Sequence, residues 1–548
     1  MPTPRTLRVF AALCAMLGAC GTSRPAIRAV TVSLSPTSVS IKVNQTAQFT
    51  ATVANATNAA VIWSLTEGGS GGSVSSAGLY TAPANAGTYH VAATAAADAT
   101  ASASVEVTVI PVLSISVSPA ASFVKVGQTA QFTATVSTAS NTAVNWKVSE
   151  GASGGSVSPT GLYTAPATVG NYHLIATIAA DPATSATAEV VVRANTPAVG
   201  VWTPVTPANV SLTGSFSCGN YGTQTVAVDP IRPSDVYAMF HCQGIWKSTD
   251  FGYTWTGPIN TGTGGPDMAG AGGIVIPSAS TTTPPLMYAA NIRDPGIGFW
   301  RSTDGGVGWT RFNVAPSGAR QDYYPPAVDP YDANHLLMAG HEMNVLVQSS
   351  DGGQSWTAVH TEPGMQQSGG TAFATFIDMG SAATTRNTFL WIAQQAGGNI
   401  GTWRTADGGT SWARVDKNEH PHGSSQLYQP GSGVVYMAGA YSDLGWGALR
   451  SNDYGQHWTH VGAVRNLTNV AGTPSKVYSM FGWAIGAGQT VDPSLEVAQQ
   501  QGTGVWTSPG TPSTMSQGPA AIATTFDGTH SVILTANYNA GLWFYTEP

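Results

Sequence analysis

The sequence is poor in charged side chains. Lys and Arg number 21 and Asp and Glu 28 among 548 residues, which is 9% of the chain against roughly 25% in an average soluble domain. So few charges argue against a long coiled coil and against a disordered acidic or basic tail. The net charge of -7 offers no basic surface to phosphates, so no nucleic-acid partner is predicted.

Helical periodicity and cofactor motifs are also missing. No Gly-rich loop leads from a strand into a helix, so a nucleotide cofactor is not expected. The stretch 419–422 (Glu-His-Pro-His) places two imidazoles two residues apart without a third ligand at a recognisable spacing, so no metal site is predicted either. Glycine (63) and proline (34) are abundant instead, together with Ser, Thr, Ala and Val, a composition that favours short strands and tight turns.

The N-terminus carries an export pattern. Arg5 and Arg8 precede an apolar run at 9–17, so residues 1–19 are interpreted as a secretory signal. The sequence Leu-Gly-Ala-Cys at 17–20 resembles the lipobox of bacterial lipoproteins. That resemblance implies that Cys20 is diacylated, which would anchor the protein in the bacterial cell envelope, facing the periplasm or the extracellular space. The alternative is an ordinary signal peptide cleaved before a cysteine.

The remaining cysteines predict one disulfide. Cys14 would leave with the signal, and only Cys218 and Cys242 would then remain beside the lipidated residue. Because the compartment is oxidising, we predict that these two residues are bonded to each other.

A tandem duplication comes after a linker at 20–30. The segment QTAQFTATV occurs at 45–53 and again at 128–136, and Gly-Leu-Tyr-Thr-Ala-Pro occurs at 78–83 and 161–166. Short alternating strands between turn clusters, with one central Trp in each copy, are typical of an antiparallel sandwich. The copies, at 31–111 and 112–194, resemble bacterial immunoglobulin-like domains. We interpret them as a stalk, with Trp63 and Trp146 packing in the sandwiches and His90 and His173 serving the fold.

A second repeat begins after residue 197. The pattern Ser/Thr-x-Asp-x-Gly-x-x-Trp occurs five times, at 248–255, 302–309, 349–356, 405–412 and 451–458. Its Ser and Asp can bond backbone amides of a turn, its Gly can take a positive φ, and its Trp can pack between sheets, so these residues are predicted to be structural. Two further units, 469–508 and 519–545, keep the strand pattern without the motif.

The motif resembles the Asp-box (BNR) repeat of sialidase-like β-propellers, in which the box joins the third and fourth strands of a blade. The resemblance and the repeat length imply an all-β protein with a seven-bladed propeller at 198–548, preceded by the two sandwiches. The chain begins this region with an isolated strand at 201–205 and ends it with a third strand at 541–545. We expect the two to pair and close the ring.

Candidate functional residues fall on the face opposite the motifs, where the second-to-third and fourth-to-first loops emerge. We predict catalytic roles there for Arg320, Asp322, Tyr324, His341, Glu342, Glu419 and Asp443. We predict substrate contacts from His241, Asp267, Arg293, His420, Tyr441, Trp446, Trp483 and Tyr538. Aromatic rings stack on pyranose faces and charged groups bind hydroxyls, so a polysaccharide or other glycan is the expected partner of a monomeric protein.

Three functions remain open. A glycoside hydrolase needs two carboxylates, which Asp267, Asp322, Glu342, Glu419 and Asp443 could supply. A polysaccharide lyase needs a cation and a proton-transferring group, for which Arg320 with His341, His420 or Tyr324 would serve. The third is a non-catalytic glycan or protein binder. Sialidase activity is not expected, because Ile231-Arg232-Pro233 departs from the Arg-Ile-Pro motif of that family and lies on the face of the motifs.

Overall fold

The computed structural model describes most of the chain after the N-terminal segment. The described residues are 28–137, 142–194, 198–212, 222–268, 270–293, 296–314, 321–341, 343, 345–361, 372–393, 401–416, 427–437, 448–461, 469–473, 475–480, 495–499, 506–507 and 510–548. Residues 1–19, predicted to be a signal peptide, and Cys20 lie outside them. No helix in this described part is long and apolar enough to span a membrane.

The chain is all-β and divides into two compact units, Met1–Ser114 with Ser137–Asn141, and Ile115–Val136 with Thr142–Pro548. The first unit holds a sandwich of three sheets with strand orders β1-β4, β2-β9-β8-β5 and β3-β7-β6. Its elements are β1 (Thr31–Ser35), β2 (Ser38–Lys42), β3 (Thr46–Gln48), β4 (Thr50–Ala54), β5 (Val61–Leu65), a 3-10 helix (Gly68–Gly71), β6 (Ser73–Val74), β7 (Leu79–Thr81), β8 (Gly87–Ala95) and β9 (Ser102–Ile110).

The second sandwich repeats this topology, with orders β10-β13, β11-β18-β17-β14 and β12-β16-β15. Its elements are β10 (Ser114–Ser118), β11 (Ala121–Lys125), β12 (Thr129–Gln131), β13 (Thr133–Ser137), β14 (Val144–Val148), a 3-10 helix (Gly151–Gly154), β15 (Ser156–Val157), β16 (Leu162–Thr164), β17 (Gly170–Ile178) and β18 (Asp181–Arg193).

The duplicated Trp and His residues have structural roles. Trp63 and Trp146 are half-buried against the apolar cores of their own sandwiches. The Nδ1 of His90 lies 2.6 Å from Glu67 Oε1, and that of His173 lies 2.7 Å from Glu150 Oε1. Because the same His–Glu contact occurs in both sandwiches, we assign a structural role to both histidines.

Within the described residues, seven antiparallel sheets come after the sandwiches. Sheet 1 contains β20 (Thr223–Val228), β21 (Val236–Phe240) and β22 (Gly244–Ser248). Sheet 2 contains β23 (Ala271–Val275), β24 (Met287–Arg293), β25 (Gly298–Ser302) and β26 (Thr310–Phe312). Sheet 3 contains β27 (Ala327–Asp329), β28 (Asp332–Ala339), β29 (Leu346–Ser349) and β30 (Thr357–Ala358). Sheet 4 contains β31 (Ala372–Phe376), β32 (Phe389–Ala393), β33 (Gly401–Thr405) and β34 (Ala413–Asp416). Sheet 5 contains β35 (Leu427–Gly431), β36 (Val434–Met437), β37 (Ala448–Ser451) and β38 (Thr459–Val461).

Sheets 6 and 7 complete the series. Sheet 6 contains β39 (Asn469–Gly472), β40 (Lys476–Met480) and β41 (Leu495–Gln499). Sheet 7 contains β42 (Ala521–Phe526), β43 (Ser531–Ala536) and β44 (Leu542–Thr546), and β19 (Trp202–Pro204) is its fourth strand. The pairing of Trp202 with Tyr545 confirms that the two strands predicted at the limits of this region join. The described helices here are a 3-10 turn (Pro266–Met268) and one α-helical turn, α1 (Ala382–Thr385).

Consecutive sheets pack face to face. Apolar clusters join sheet 1 to 2, 2 to 3, 3 to 4, 4 to 5, 5 to 6 and 6 to 7, and a further cluster joins sheet 7 to sheet 1. Since both faces of a sheet are covered, its middle strands lose the polar-apolar alternation of a solvent-facing strand. All five residues of β21, with sequence VYAMF, are buried for this reason.

The five repeated turns each begin at the last residue of a sheet's third strand. In the turn at Ser302–Trp309, the Ser302 hydroxyl donates to Asp304 Oδ1 at 2.8 Å and accepts the Gly306 N–H at 2.9 Å. The same pair of bonds occurs in the other four turns. The residue after the aspartate has a positive φ in all five, and it is Gly in three, Phe251 in the first and Tyr454 in the fifth.

Phe251 is explained by the second sandwich, which docks on the first repeated turn. Its ring is fully buried in a cluster with Ala121, Val191 and Phe123 of the sandwich. The Nε of Arg193 donates to Asp250 Oδ2 at 3.3 Å, and the Phe123 N–H donates to the carbonyl of Asp527 in sheet 7. The second sandwich therefore packs against sheets 1 and 7 as part of one unit.

This contact predicts a specific loss of stability. Phe251→Ala removes a fully buried ring, so we expect the free energy of unfolding to fall by about 3 kcal/mol. Tyr454→Ala is the matched control, because it also removes an aromatic ring, at the equivalent turn position where the side chain is only half-buried, and its cost should be clearly smaller. Urea unfolding measures both. Equal losses would contradict the docking contact.

The turn carboxylates predict a dependence of stability on pH. Desolvation would raise the pKa of Asp351 and Asp453, but hydrogen bonds from Ser355 and His457 outweigh it and lower both values to about 2. The pKa of Asp407 falls to about 2 chiefly through the hydrogen bond from Ser411. Carboxylates with lowered pKa values stabilise the fold above their ordinary value of about 4, and that contribution is lost as the pH falls to about 2.

We therefore expect Asp407→Asn to weaken the acid dependence of stability between about pH 4 and pH 2. The control Asp332→Asn removes a carboxylate outside the repeated turns and shows whether the effect is specific to a turn aspartate. Urea midpoints measured across this range test the expectation. An identical pH dependence in Asp407→Asn and in the unaltered protein would contradict it.

Candidate functional site

Most of the predicted site residues that the structure describes follow the end of a second strand or precede a first strand, at one edge of the sheets that we call the second-strand edge. His241, His341 and Tyr538 each come directly or almost directly after the second strand of sheets 1, 3 and 7. The repeated turns lie at the opposite edge, which we call the turn edge. Arg293 is the last residue of β24 rather than a loop residue as predicted.

Eight predicted residues lie outside the described part of the chain: Arg320, Glu342, Glu419, His420, Tyr441, Asp443, Trp446 and Trp483. Asp267 is described, and it is exposed in the 3-10 turn between sheets 1 and 2.

Asp322 and His341 form a buried pair at the second-strand edge of sheet 3. The Nδ1 of His341 lies 3.0 Å from both carboxylate oxygens of Asp322, and the His341 N–H donates to the Asp322 carbonyl at 2.9 Å. Asp322 is 5% exposed and His341 3%. This double link fixes the segment entering sheet 3 against the loop that leaves its second strand.

Tyr324 and Phe373 extend this pair into an aromatic cluster. The Tyr324 ring packs edge-on against the imidazole of His341 at 5.3 Å and lies 4.3 Å from the ring of Phe373. Phe373 is half-buried on β31, the first strand of sheet 4. Sequence analysis missed Phe373, because a single Phe in a short strand carries no signal that distinguishes it from ordinary packing.

His241 and Tyr538 both bond to the segment that leads into sheet 1. The His241 N–H donates to the Gly222 carbonyl at 2.9 Å, and the Thr223 N–H donates to the Tyr538 carbonyl at 3.0 Å. Gly222 has a φ of 69°, and a side chain there would collide with the Tyr538 carbonyl. His241 is fully buried, and burial raises the pKa of Tyr538 to about 12, so its phenol stays neutral.

Cys242, the neighbour of His241, is disulfide-bonded. Its predicted partner Cys218 lies outside the described residues. Cys242 also has a positive φ of 62°, so the turn after β21 adopts a left-handed backbone at this residue.

Arg232 has a structural role at the turn edge. Its guanidinium lies 3.0 Å from Asp235 and 3.4 Å from Asp229, two carboxylates that are almost fully buried. An arginine committed to two buried carboxylates is not available to a ligand. Among the described residues, no three His, Cys, Asp or Glu side chains lie close enough to hold a metal ion.

Comparisons with known proteins cover different parts of the chain. Residues 30–110 match the PKD domain model, and residues 111–188 match the model of the bacterial Ig-like domain, group 2. The first sandwich, predicted as a bacterial Ig-like copy, thus matches a different sandwich family from the second.

Two curated relatives are xyloglucanases. A probable oligoxyloglucan-reducing end-specific xyloglucanase of Neosartorya fischeri is 27% identical over 218 residues, covering 38% of this chain and 24% of that protein. Xyloglucanase Xgh74A of Acetivibrio thermocellus is 25% identical over 194 residues, covering 30% and 23%. The chain spans about a quarter of the length of these relatives.

Solved structures that are similar to part of this chain include the following three, all with TM-scores below 0.5. YCF48 from Cyanidioschyzon merolae has a TM-score of 0.38 at 13% identity, covering 63% of this chain and 98% of that one. The GH74 xyloglucanase of Xanthomonas campestris has 0.32 at 15%, covering 72% and 55%. An auxiliary nutrient binding protein from Bacteroides thetaiotaomicron has 0.35 at 11%, covering 80% and 98%.

The Asp322–His341 pair predicts a local stability effect. Asp322→Ala leaves the imidazole of a buried histidine without its carboxylate, so we expect a loss of about 1–3 kcal/mol in the free energy of unfolding. Asp332→Ala, a less buried carboxylate at the turn edge of the same sheet, is the control and should cost less. Urea unfolding of both variants gives the comparison. If Asp322→Ala costs no more than the control, the pair does not stabilise this edge.

Proposed function

We propose that this chain is a carbohydrate-active propeller protein that cleaves a polysaccharide as a glycoside hydrolase at the second-strand edge. The observation that carries the proposal is the Asp322–His341 pair with Tyr324 and Phe373, a buried carboxylate, imidazole and aromatic cluster in a chain that has few charges. The partial similarity to two xyloglucanases supports a polysaccharide as the substrate class.

The architecture in this proposal is a closed ring of seven Asp-box blades. Its support is the apolar packing of each sheet on the next, of sheet 7 on sheet 1, and the pairing of β19 with β44. The hydrogen-bonded Ser and Asp of the five repeated turns support the Asp-box assignment. The first strands of sheets 1 to 3 would line the centre, since Gly273 in β23 lies against Thr225 in β20 and against Pro325, just before β27, so that a side chain there would collide with both.

In this mechanism the buried pair is a positioning element. Arg320 precedes Asp322 by two residues and Glu342 follows His341 directly, so the pair would hold the two segments that carry these groups. Glu342 is the proposed general acid, which gives its proton to the leaving glycosidic oxygen. A second carboxylate, Glu419 or Asp443, would activate water or attack the anomeric carbon. Tyr441, Trp446 and Trp483 would stack on sugar rings.

The protein would act at the bacterial cell envelope. Arg5, Arg8 and the Leu-Gly-Ala-Cys sequence ending at Cys20 support a lipid anchor, and the two sandwiches would separate the propeller from the membrane. A monomer suffices, because the proposed ring covers its own sheet edges.

A non-catalytic glycan binder is the second candidate. It is favoured by the burial of Asp322, His341 and His241, which are between 0% and 5% exposed and so are closed to direct contact with a polymer. On this alternative the same edge holds a glycan without breaking a bond.

Activity measurements separate these functions. We expect the purified protein to release reducing ends from xyloglucan or another member of a polysaccharide panel, without the ultraviolet absorbance of unsaturated uronates. Glu342→Gln should lower kcat by about 100-fold or more, because it removes the transferred proton. Asp332→Asn, a carboxylate at the turn edge, is the matched control and should retain full activity.

Three results would contradict hydrolysis at this site. Unsaturated uronates together with reducing ends would indicate elimination by a lyase. Retention on a glycan column without either product would indicate the binder. Full activity in Glu342→Gln would show that Glu342 is not the general acid.

A further inference from the structure

The five repeated turns also differ at the position four residues after the aspartate. In four turns a side chain there donates to the outer carboxylate oxygen, Oδ2. The donors are Thr254, Ser355, Ser411 and His457, at 2.5 to 2.6 Å from Asp250, Asp351, Asp407 and Asp453. This bond occupies the oxygen that would otherwise face away from the turn.

The second turn lacks this donor. Residue 308 is glycine, and the Oδ2 of Asp304 accepts only the Gly308 N–H, at 3.0 Å, among the described residues. Its Oδ1 keeps the usual bonds from Ser302 and from the backbone. One carboxylate oxygen of Asp304 therefore retains free acceptor capacity.

A cavity opens at this turn. Its volume is about 330 Å³, within the range of small-molecule sites. The side chains that line it include Arg301, Thr303, Asp304, Trp309, Thr310 and Phe312. A neighbouring loop forms one wall, because the Gly262 N–H donates to the Val307 carbonyl at 2.9 Å and the Trp309 N–H donates to the Thr263 carbonyl at 2.8 Å.

The charges in the cavity select the class of ligand. Arg301 would repel a metal ion and Asp304 would repel an anion, whereas a neutral molecule rich in hydroxyls can donate to the carboxylate and accept from the guanidinium. Thr303 and Thr310 add two exposed hydroxyls, and the half-buried Phe312 adds apolar ring surface. This combination matches a sugar unit.

We propose that this cavity at the second repeated turn is a binding site for a neutral saccharide, separate from the second-strand edge. The site lies at the turn edge and needs no bond cleavage, so it goes beyond the proposed hydrolysis and does not depend on it. Gly308 is its determining residue, because the usual hydroxyl at this position would occupy Asp304 Oδ2.

The test introduces at position 308 the serine that the third and fourth turns carry at the equivalent position. Isothermal titration calorimetry uses cellotetraose, a xyloglucan heptasaccharide, tetragalacturonate and calcium chloride as probes. We expect a neutral oligosaccharide to bind the full chain, and Gly308→Ser to weaken that binding by about tenfold or more through loss of one charged hydrogen bond. The variant should fold, because Ser355 and Ser411 hold the same position in the third and fourth turns.

Two matched variants locate the effect. Ser355→Gly removes the same hydroxyl from the third turn and should not change binding. His341→Asn alters the candidate site at the second-strand edge and should also leave this binding unchanged. Loss in Gly308→Ser alone supports the proposal.

The opposite results would overturn it. They are the absence of binding by both neutral probes, or binding that survives Gly308→Ser and disappears in His341→Asn. Binding of tetragalacturonate or calcium alone would overturn the assignment to a neutral sugar. Reducing-end release is measured separately, so the binding measured by calorimetry can be interpreted even if the protein does not hydrolyse a polysaccharide.

Discussion

Face-to-face burial of sheets is the constraint on which the C-terminal region depends. Each sheet is apolar on both faces, so it is stable only between two neighbours, and an end sheet would leave one such face in water. The cluster that joins Phe240 and Trp246 of sheet 1 to Leu534 and Phe544 of sheet 7 removes that exposed face. The repeated turns are held by local hydrogen bonds, and their Trp side chains pack in the same apolar clusters between the sheets.

Local signals in the sequence predicted most of this architecture. The Ser/Thr-x-Asp-x-Gly-x-x-Trp pattern determines its own turn through bonds that span four residues, so reading it required no tertiary information. The pairing of Trp202–Pro204 with Leu542–Thr546 was also predictable, since one strand lacked a sheet and one sheet lacked a strand. The placement of Arg293 in a loop was wrong, because β24 continues to that residue.

The candidate site was less accessible to sequence reasoning. The edge on which His241, His341 and Tyr538 lie followed from strand order, but their burial did not, because it depends on contacts between different sheets. The approach of Phe373 to Tyr324 is another contact of this kind. The absence of a hydroxyl at Gly308 was visible in the sequence, yet its meaning required the cavity beside Asp304.

The pairing of β19 with β44 has a kinetic consequence. The Leu542 N–H donates to the Thr206 hydroxyl across 336 residues of sequence, and the same two strands share backbone bonds. Contacts over such a span form slowly, because the loop between them must first be ordered. During synthesis β19 emerges long before its partner, so its amide and carbonyl groups stay open to other chains until β44 arrives. Chaperones that shield nascent strands would be most valuable in this interval.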